Sequence, residues 1–157
     1  MNGKTYPYLE LAAMPEVGAA LLDPRPAFVF RGDGTAILWT NAAGAAFLRD
    51  RVSAALDRRF APTSAFARQL ARLARLIPAG HPRIEILRFN LGPRTGTLPA
   101  ACRRLNLVDV GPALLAIGQA PSKRESLATR AERLADAIAT SECLVAVIAG
   151  DGRVLGA

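Results

Sequence analysis

The sequence predicts an α+β fold: a five-stranded antiparallel sheet with helices on one face, followed by a C-terminal linker helix. Three observations carry this. Two apolar, β-rich segments bracket a tight Gly32-Asp33-Gly34; a stretch of helical periodicity follows; three further β-rich segments then come in succession. Strands at both ends of the domain and helices between them are satisfied when the early hairpin and the late three strands share one antiparallel sheet.

The 157 residues suffice for one ordinary domain with a little left over. Apolar residues make up 51% and charged residues 21%, which excludes a disordered tail and predicts a buried core. The longest apolar runs, such as Cys143 to Gly150, are too short to cross a bilayer. The segment Met1 to Pro7 lacks the apolar stretch of a signal peptide. Together these favour a cytoplasmic protein with no membrane span.

The elements follow in order. Pro15 to Leu22 makes a short helix, with Pro15 in its first turn and Asp23-Pro24 ending it. Strands at 27–31 and 35–40 flank Gly32-Asp33-Gly34, whose residue types tolerate the positive φ of a short hairpin. Asn41 caps an Ala-rich helix over 42–48 anchored by Phe47, and 51–56 continues in helix. Thr63 or Ser64 caps a longer helix in which Phe66, Leu70, Leu73 and Ile77 recur at spacings of four, three and four. Pro78 to Pro82 stops it. Strands are expected at 83–90, with Ile84 and Ile86 on its inward face, at 97–108 and at 112–119. Gly92 to Gly96 turns between the first two of these.

After the break at Pro121 to Arg124, a helix over 125–140 carries Leu127, Ala131, Leu134 and Ile138 in a narrow apolar stripe. That stripe serves either a dimerising, signal-relaying linker or an ordinary packing helix. The last fifteen residues then repeat the opening: an apolar strand from Cys143, Gly150-Asp151-Gly152, and a second apolar strand. Gly150 lies 118 residues after Gly32, a period that suggests a tandem repeat broken off inside its second strand.

Net charge is +7, from twenty basic and thirteen acidic residues, and Lys4 and Lys123 are the only lysines. A basic domain raises nucleic acid as a partner. The arginines are dispersed, however. The densest group, Arg68, Arg72 and Arg75, falls at helical spacing and reads as a solvated helix face. No basic run is interleaved with aromatics, so no nucleic-acid partner is expected. Cys102 and Cys143 sit far apart in apolar contexts and read as buried free thiols rather than a disulfide or a zinc site.

The block Pro26 to Phe30, the Gly32-Asp33-Gly34 hairpin, Ile37 to Thr40 and above all Asn41-Ala42-Ala43-Gly44-Ala45-Ala46-Phe47-Leu48 together resemble the PAS domain family. The last piece is similar to the family's Asn-led helix after the second strand, and the three late strands to its closing meander. The opening, Tyr6 to Pro26, also resembles the N-terminus of multi-PAS sensor histidine kinases of alphaproteobacteria, similar to the PleC and DivJ cell-cycle kinases. The resemblance covers 25–120 and restarts near 143. It divides the chain into an N-terminal helical segment (1–24), a PAS domain (25–120), a linker helix with possible coiled-coil character (121–142) and the truncated start of a second PAS domain (143–157). It implies a homodimer with protein partners in a phosphorelay, and a protein-histidine kinase as the complete product.

The chemistry of the fragment itself is sparse. The one histidine, His81, sits in the turn Ala79-Gly80-His81-Pro82, not on a helix face, and no phosphate-cradling loop is present. Neither phosphoryl transfer nor a Ser-His-Asp triad is expected, and no catalytic or metal-binding residue is assigned. Haem ligation through His81 is disfavoured against a solvated loop histidine, and the Cys of flavin photosensors is missing after Asn41. No cofactor is predicted. The PAS resemblance implies a small apolar space lined by Phe28, Phe30, Leu38, Asn41, Phe47, Phe66, Ile86 and Leu115. That space either holds an unidentified small ligand or is filled by side chains, and Asn41 serves either as helix cap or as ligand contact. The outer sheet face and the segment Tyr6 to Leu22 are the expected contact surfaces. The expected role is thus a regulatory or sensor module of a histidine kinase. The alternatives are a module of another signalling output (a cyclic-di-nucleotide enzyme or a transcription factor) and a free-standing basic binding protein.

Overall fold

The first chain reversal is built by one side chain. The Asp33 carboxylate accepts from the Thr35 N–H at 2.9 Å and from the Thr35 hydroxyl at 2.7 Å, while Gly34 takes φ +76°. The strands it joins are β1 (Ala27–Arg31) and β2 (Ile37–Thr40). In the computed structural model, which describes residues 8–121, 126–139 and 144–157, β1 is preceded by two short helices, α1 (Tyr8–Ala12) and α2 (Pro15–Gly18). It is followed by α3 (Ala42–Phe47), α4 (Val52–Asp57), α5 (Ala65–Leu76), β3 (Arg83–Asn90), β4 (Thr95–Leu107) and β5 (Gly111–Gly118). Helix α6 (Leu127–Ile138) and the strands β6 (Val147–Ile148) and β7 (Val154–Gly156) complete the described chain. The expectations placed on Tyr6, Glu125, Thr140 and Cys143 lie outside the described residues.

The sheet order is β2-β1-β5-β4-β3, with every pairing antiparallel. Hairpin and meander therefore share one sheet through β1 and β5. This is the α+β, five-stranded antiparallel architecture that the PAS resemblance implies. None of the described helices is long and apolar enough to cross a membrane.

Three helices begin where a side chain satisfies one of their first free N–H groups, whereas α2 and α4 start without a side-chain cap. Asn41 caps α3, Ser64 caps α5 by accepting from Ala67 N–H, and Ser126 caps α6 by accepting from Thr129 N–H. In α5, Phe66, Leu70, Leu73 and the following Ile77 are buried, while Arg68, Arg72 and Arg75 are exposed. Gln69 of the same helix donates to the Ile86 carbonyl and accepts from Arg88 N–H. Its amide thus occupies backbone groups on the outer edge of β3, where an unpaired strand invites association.

The sheet is covered on both sides. Helices α3 to α5 close the inner face over Phe28, Phe30, Leu87, Phe89, Leu114 and Ala116. On the outer face Leu11, Val17 and Ala20 of the N-terminal segment pack on Ala27, Val29, Trp39 and Leu115. Tyr8 stacks on Trp39 with ring centroids 5.8 Å apart and donates its hydroxyl to the Thr40 carbonyl at 2.7 Å. Burial pushes that phenol's pKa up. The two surfaces expected to meet partners, the outer sheet face and the N-terminal segment, therefore largely cover each other.

Four inward assignments need correction. Ile84 and Ile86 are 66% and 52% exposed, and their neighbours Leu87 and Phe89 face the core. Leu115 is buried on the outer face, one residue out of step with Leu114 and Ala116. Leu38 packs with the outer cluster, because a register shift at Val29/Phe30 pairs Phe30 with Ile37 and Val29 with Trp39. The β3 register is testable by urea unfolding. Leu87→Ala is expected to cost about 2–5 kcal/mol, and Ile86→Thr to stay within about 0.5 kcal/mol; the reverse ranking would refute the assignment.

Candidate functional site

Asn41 is buried and saturated. Its Oδ1 accepts from Gly44 N–H at 2.8 Å, which caps α3, and from Ala27 N–H at 3.0 Å, which holds the start of β1. Its Nδ2 donates to the carbonyls of Ala20 (2.9 Å), Asp23 (3.2 Å) and Arg25 (2.9 Å). One residue thus pins the segment entering the sheet to the helix leaving it, and these five contacts fill its side-chain hydrogen-bonding capacity. The expected cap role is present, joined by a clamp that the cap pattern alone does not reveal. Beside it, Arg25 grips Asp23 through its backbone N–H at 2.8 Å and through its guanidinium. Those guanidinium bonds hold the Asp23 carboxyl below its usual value.

The structure brings together Phe28, Phe30, Phe47 and Phe66 from the expected lining set and leaves Leu38, Ile86 and Leu115 outside it. Phe89, not anticipated, stands at the centre: its ring centroid lies 4.5 Å from Phe66, 5.3 Å from Phe47 and 5.6 Å from Phe28. With Phe60, 4.9 Å from Phe66, all six phenylalanines of the chain form one cluster between sheet and helices. Such edge-on and tilted contacts add to the burial of each ring. The signal for Phe89 was its size: of the two registers open to β3, only one buries an aromatic ring. Cys102 lies buried beneath this cluster, and burial, with the Glu85 charge, pushes its thiol up to about 12. It is therefore a packing residue, not a nucleophile, at neutral pH. His81 is exposed in the turn before β3. No group of three or more His, Cys, Asp or Glu among the described residues is placed to hold a metal ion.

Space for a ligand opens elsewhere. A groove of about 1010 Å³ runs between α3, the corner joining α3 to α4, and α6. Phe47, Val52 and Ala137 contribute apolar surface; Arg49, Arg51, Arg133, Asp50 and Asp136 contribute charge. Asp50 is engaged by Arg58. Arg49 ends α3 in a left-handed conformation, φ 59°, with its N–H bonded to the Ala46 carbonyl and Asp50 N–H to the Ala45 carbonyl. Glycine usually fills that position, and a side chain there costs on the order of 1–3 kcal/mol.

The helix supplying the third wall is itself fastened to the domain. Ala131 and Leu134 of the predicted stripe are buried within the chain, Ile138 is half-buried and Leu127 is 43% exposed. Helix α6 packs on α3, α4 and the β6–β7 hairpin, and Arg130 Nε donates to the Leu22 carbonyl at 2.9 Å. The core of the stripe assigned to dimerisation, Ala131 and Leu134, is thus already spent on intramolecular packing.

No family model matches the chain, and no curated protein matches it. Among solved structures it is similar to the crystal structure of the PAS domain of an HTR-like protein from Haloarcula marismortui. The identity is 20%, over 66% of this chain and 93% of that one, with a TM-score of 0.49.

Two measurements test the clamp. In an isolated helix cap Asp serves as well as Asn, yet here Asn41→Asp removes the donors to three carbonyls and buries a charge. It is expected to destabilise about as much as Asn41→Ala, by roughly 3 kcal/mol or more; a neutral Asn41→Asp in urea unfolding would reduce the residue to a cap. Because the folded Asp23 pKa is lowered, its stabilisation is complete above about pH 4 and is lost as pH falls through the depressed value. Asp23→Asn should therefore flatten the stability profile below about pH 4, and an unchanged acid limb would show that the Arg25 pair contributes nothing.

Proposed function

We propose that this chain is the regulatory PAS region of a cytoplasmic sensor histidine kinase, passing signal through α6 to a second module that opens at β6. The observation that carries the reading is the pair of matched hairpins on either side of that helix. Asp151 Oδ1 accepts from Arg153 N–H at 3.0 Å as Asp33 accepts from Thr35, and Gly152 takes φ +84° as Gly34 takes +76°. Gly34 N–H bonds the Arg31 carbonyl at 2.8 Å, and Gly152 N–H bonds the Ala149 carbonyl at 2.9 Å. Both hairpins carry a register shift in their first strand, at Val29/Phe30 and Val147/Ile148. The second hairpin pairs one residue sooner, Ile148 with Val154 where Phe30 pairs with Ile37.

The two differ in what covers them. Phe30 is fully buried beside β5, whereas Ile148 and Val154 are 59% and 58% exposed. A hairpin of this sequence is completed by a further strand on its open edge, as β1 is by β5. Helix α6 lies between the first domain and this second hairpin, touching both. A shift of α6 against α3 and α4 would be felt at β7, the kind of two-state contact by which a module biases its neighbour. Because the phenylalanine cluster occupies the interior, we place regulation in contacts at α6, with homodimerisation and phosphorelay partners as the expected consequences.

A Cβ on Gly156 would come within 2.4 Å of the Glu132 nitrogen and 2.6 Å of the Ala131 carbonyl carbon. Gly156→Val therefore forces β7 off α6. In the complete gene product, ATP-dependent phosphorylation on histidine is expected, and Gly156→Val is expected to change its rate at least severalfold while the melting of the first domain holds. A product that forms no phosphohistidine would remove the kinase assignment, and an unaltered rate would remove the α6–β7 relay.

A further inference from the structure

We infer that the groove between α3 and α6 is a binding site for an organic monoanion with an apolar body, a carboxylate carried on an aliphatic or aromatic skeleton. This goes beyond the regulatory reading and does not rest on it. The floor and the rim differ in chemistry. Phe47, Val52 and Ala137 offer apolar surface, while Arg49 and Arg51 stand at the corner between α3 and α4 and Arg133 on the facing helix. Arg49 and Arg51 are exposed, and neither guanidinium has a hydrogen-bond or ion-pair partner among the described residues. Guanidinium forks match carboxylate geometry and shed water more readily than ammonium groups, so they suit an anion held against an apolar wall.

Arg49 is the telling residue. It occupies, at a backbone cost, a left-handed position that glycine would fill without strain, and its guanidinium makes no hydrogen bond or ion pair among the described residues in return. Its side chain lines the groove. A residue kept in a strained conformation without a structural partner is explained by a ligand that supplies one. The acidic groups narrow the class. Asp50 is committed to Arg58, but Asp136 stands in the same groove and opposes negative charge. It disfavours a compact dianion such as phosphate far more than a single carboxylate whose apolar body lies along the floor. The volume, about 1010 Å³, also exceeds what a small inorganic ion fills.

The test uses the 157-residue chain and the fluorescent sulfonate 1,8-ANS, a monoanion with an aromatic body, as probe. Saturable binding is expected, displaced by decanoate but not by decyltrimethylammonium or inorganic phosphate. The double variant Arg49→Gly with Arg51→Gln should weaken ANS and decanoate at least tenfold, and Arg49→Gly alone should hold or raise the melting temperature, which separates lost binding from unfolding. Asp136→Asn should tighten both ligands severalfold. The proposal is overturned if ANS shows no saturable binding, if the double variant binds as the parent does, or if decyltrimethylammonium displaces the probe as well as decanoate. The last result would mean an apolar surface without charge selection.

Discussion

The carboxamide of Asn41 accepts from two backbone N–H groups and donates to three carbonyls, so the N-terminal segment, β1 and α3 all converge on one buried side chain. A buried amide with all its groups satisfied is stabilising and unforgiving, because removing it leaves several backbone groups without partners in a place water does not reach. The consequences spread outward. With residues 20–25 tied down, α1 and α2 settle on the outer face of the sheet. With Leu22 fixed, its carbonyl is available to Arg130 of α6. Helix α6 is thus joined, through the Arg130–Leu22 hydrogen bond, to the segment that Asn41 holds at Ala20 and Asp23.

Inside the sheet's curve the six phenylalanines fill the space and fix its shape. Close-packed aromatic interiors transmit displacement rather than absorb it. Among the described residues the open space lies at the surface, in the groove where α6 lies against α3, rather than inside the phenylalanine cluster. The charged corner around Arg49 and helix α6 line that same groove.

The parts legible in the sequence are those decided by near neighbours. Gly32-Asp33-Gly34 specifies its turn because an Asp carboxylate reaches the N–H two residues on and Gly accepts a positive φ. Ser64 and Asn41 announce helix starts for similarly local reasons. The four-three-four spacing of Phe66, Leu70, Leu73 and Ile77 shows which side of α5 is buried. Less legible was β5: Ala113 to Ala116 are all buried, so no alternation exists to say which residue faces which layer. In β3 two registers compete, Ile84 and Ile86 against Leu87 and Phe89, and the hydrophobic count alone does not separate them.

The amino-acid sequence by itself determined the order and type of the elements from α2 onward, the recurrence of the Gly-Asp-Gly hairpin and the amphipathic character of α6, but not the helix α1 over Tyr8–Ala12. Each follows from dihedral preference, capping or periodicity within a few residues. Tertiary structure alone decided what each apolar face meets. The α6 stripe is equally suited to a second copy or to its own domain, and it is buried against α3 and α4 beside an Arg130–Leu22 contact that spans 108 residues of sequence. The N-terminal helices cover the sheet because Tyr8 finds Trp39 and the Thr40 carbonyl, a contact no local pattern encodes. The groove exists only where α3, the α3–α4 corner and α6 come together, since Arg49 and Arg133 share no sequence neighbourhood and meet by packing alone.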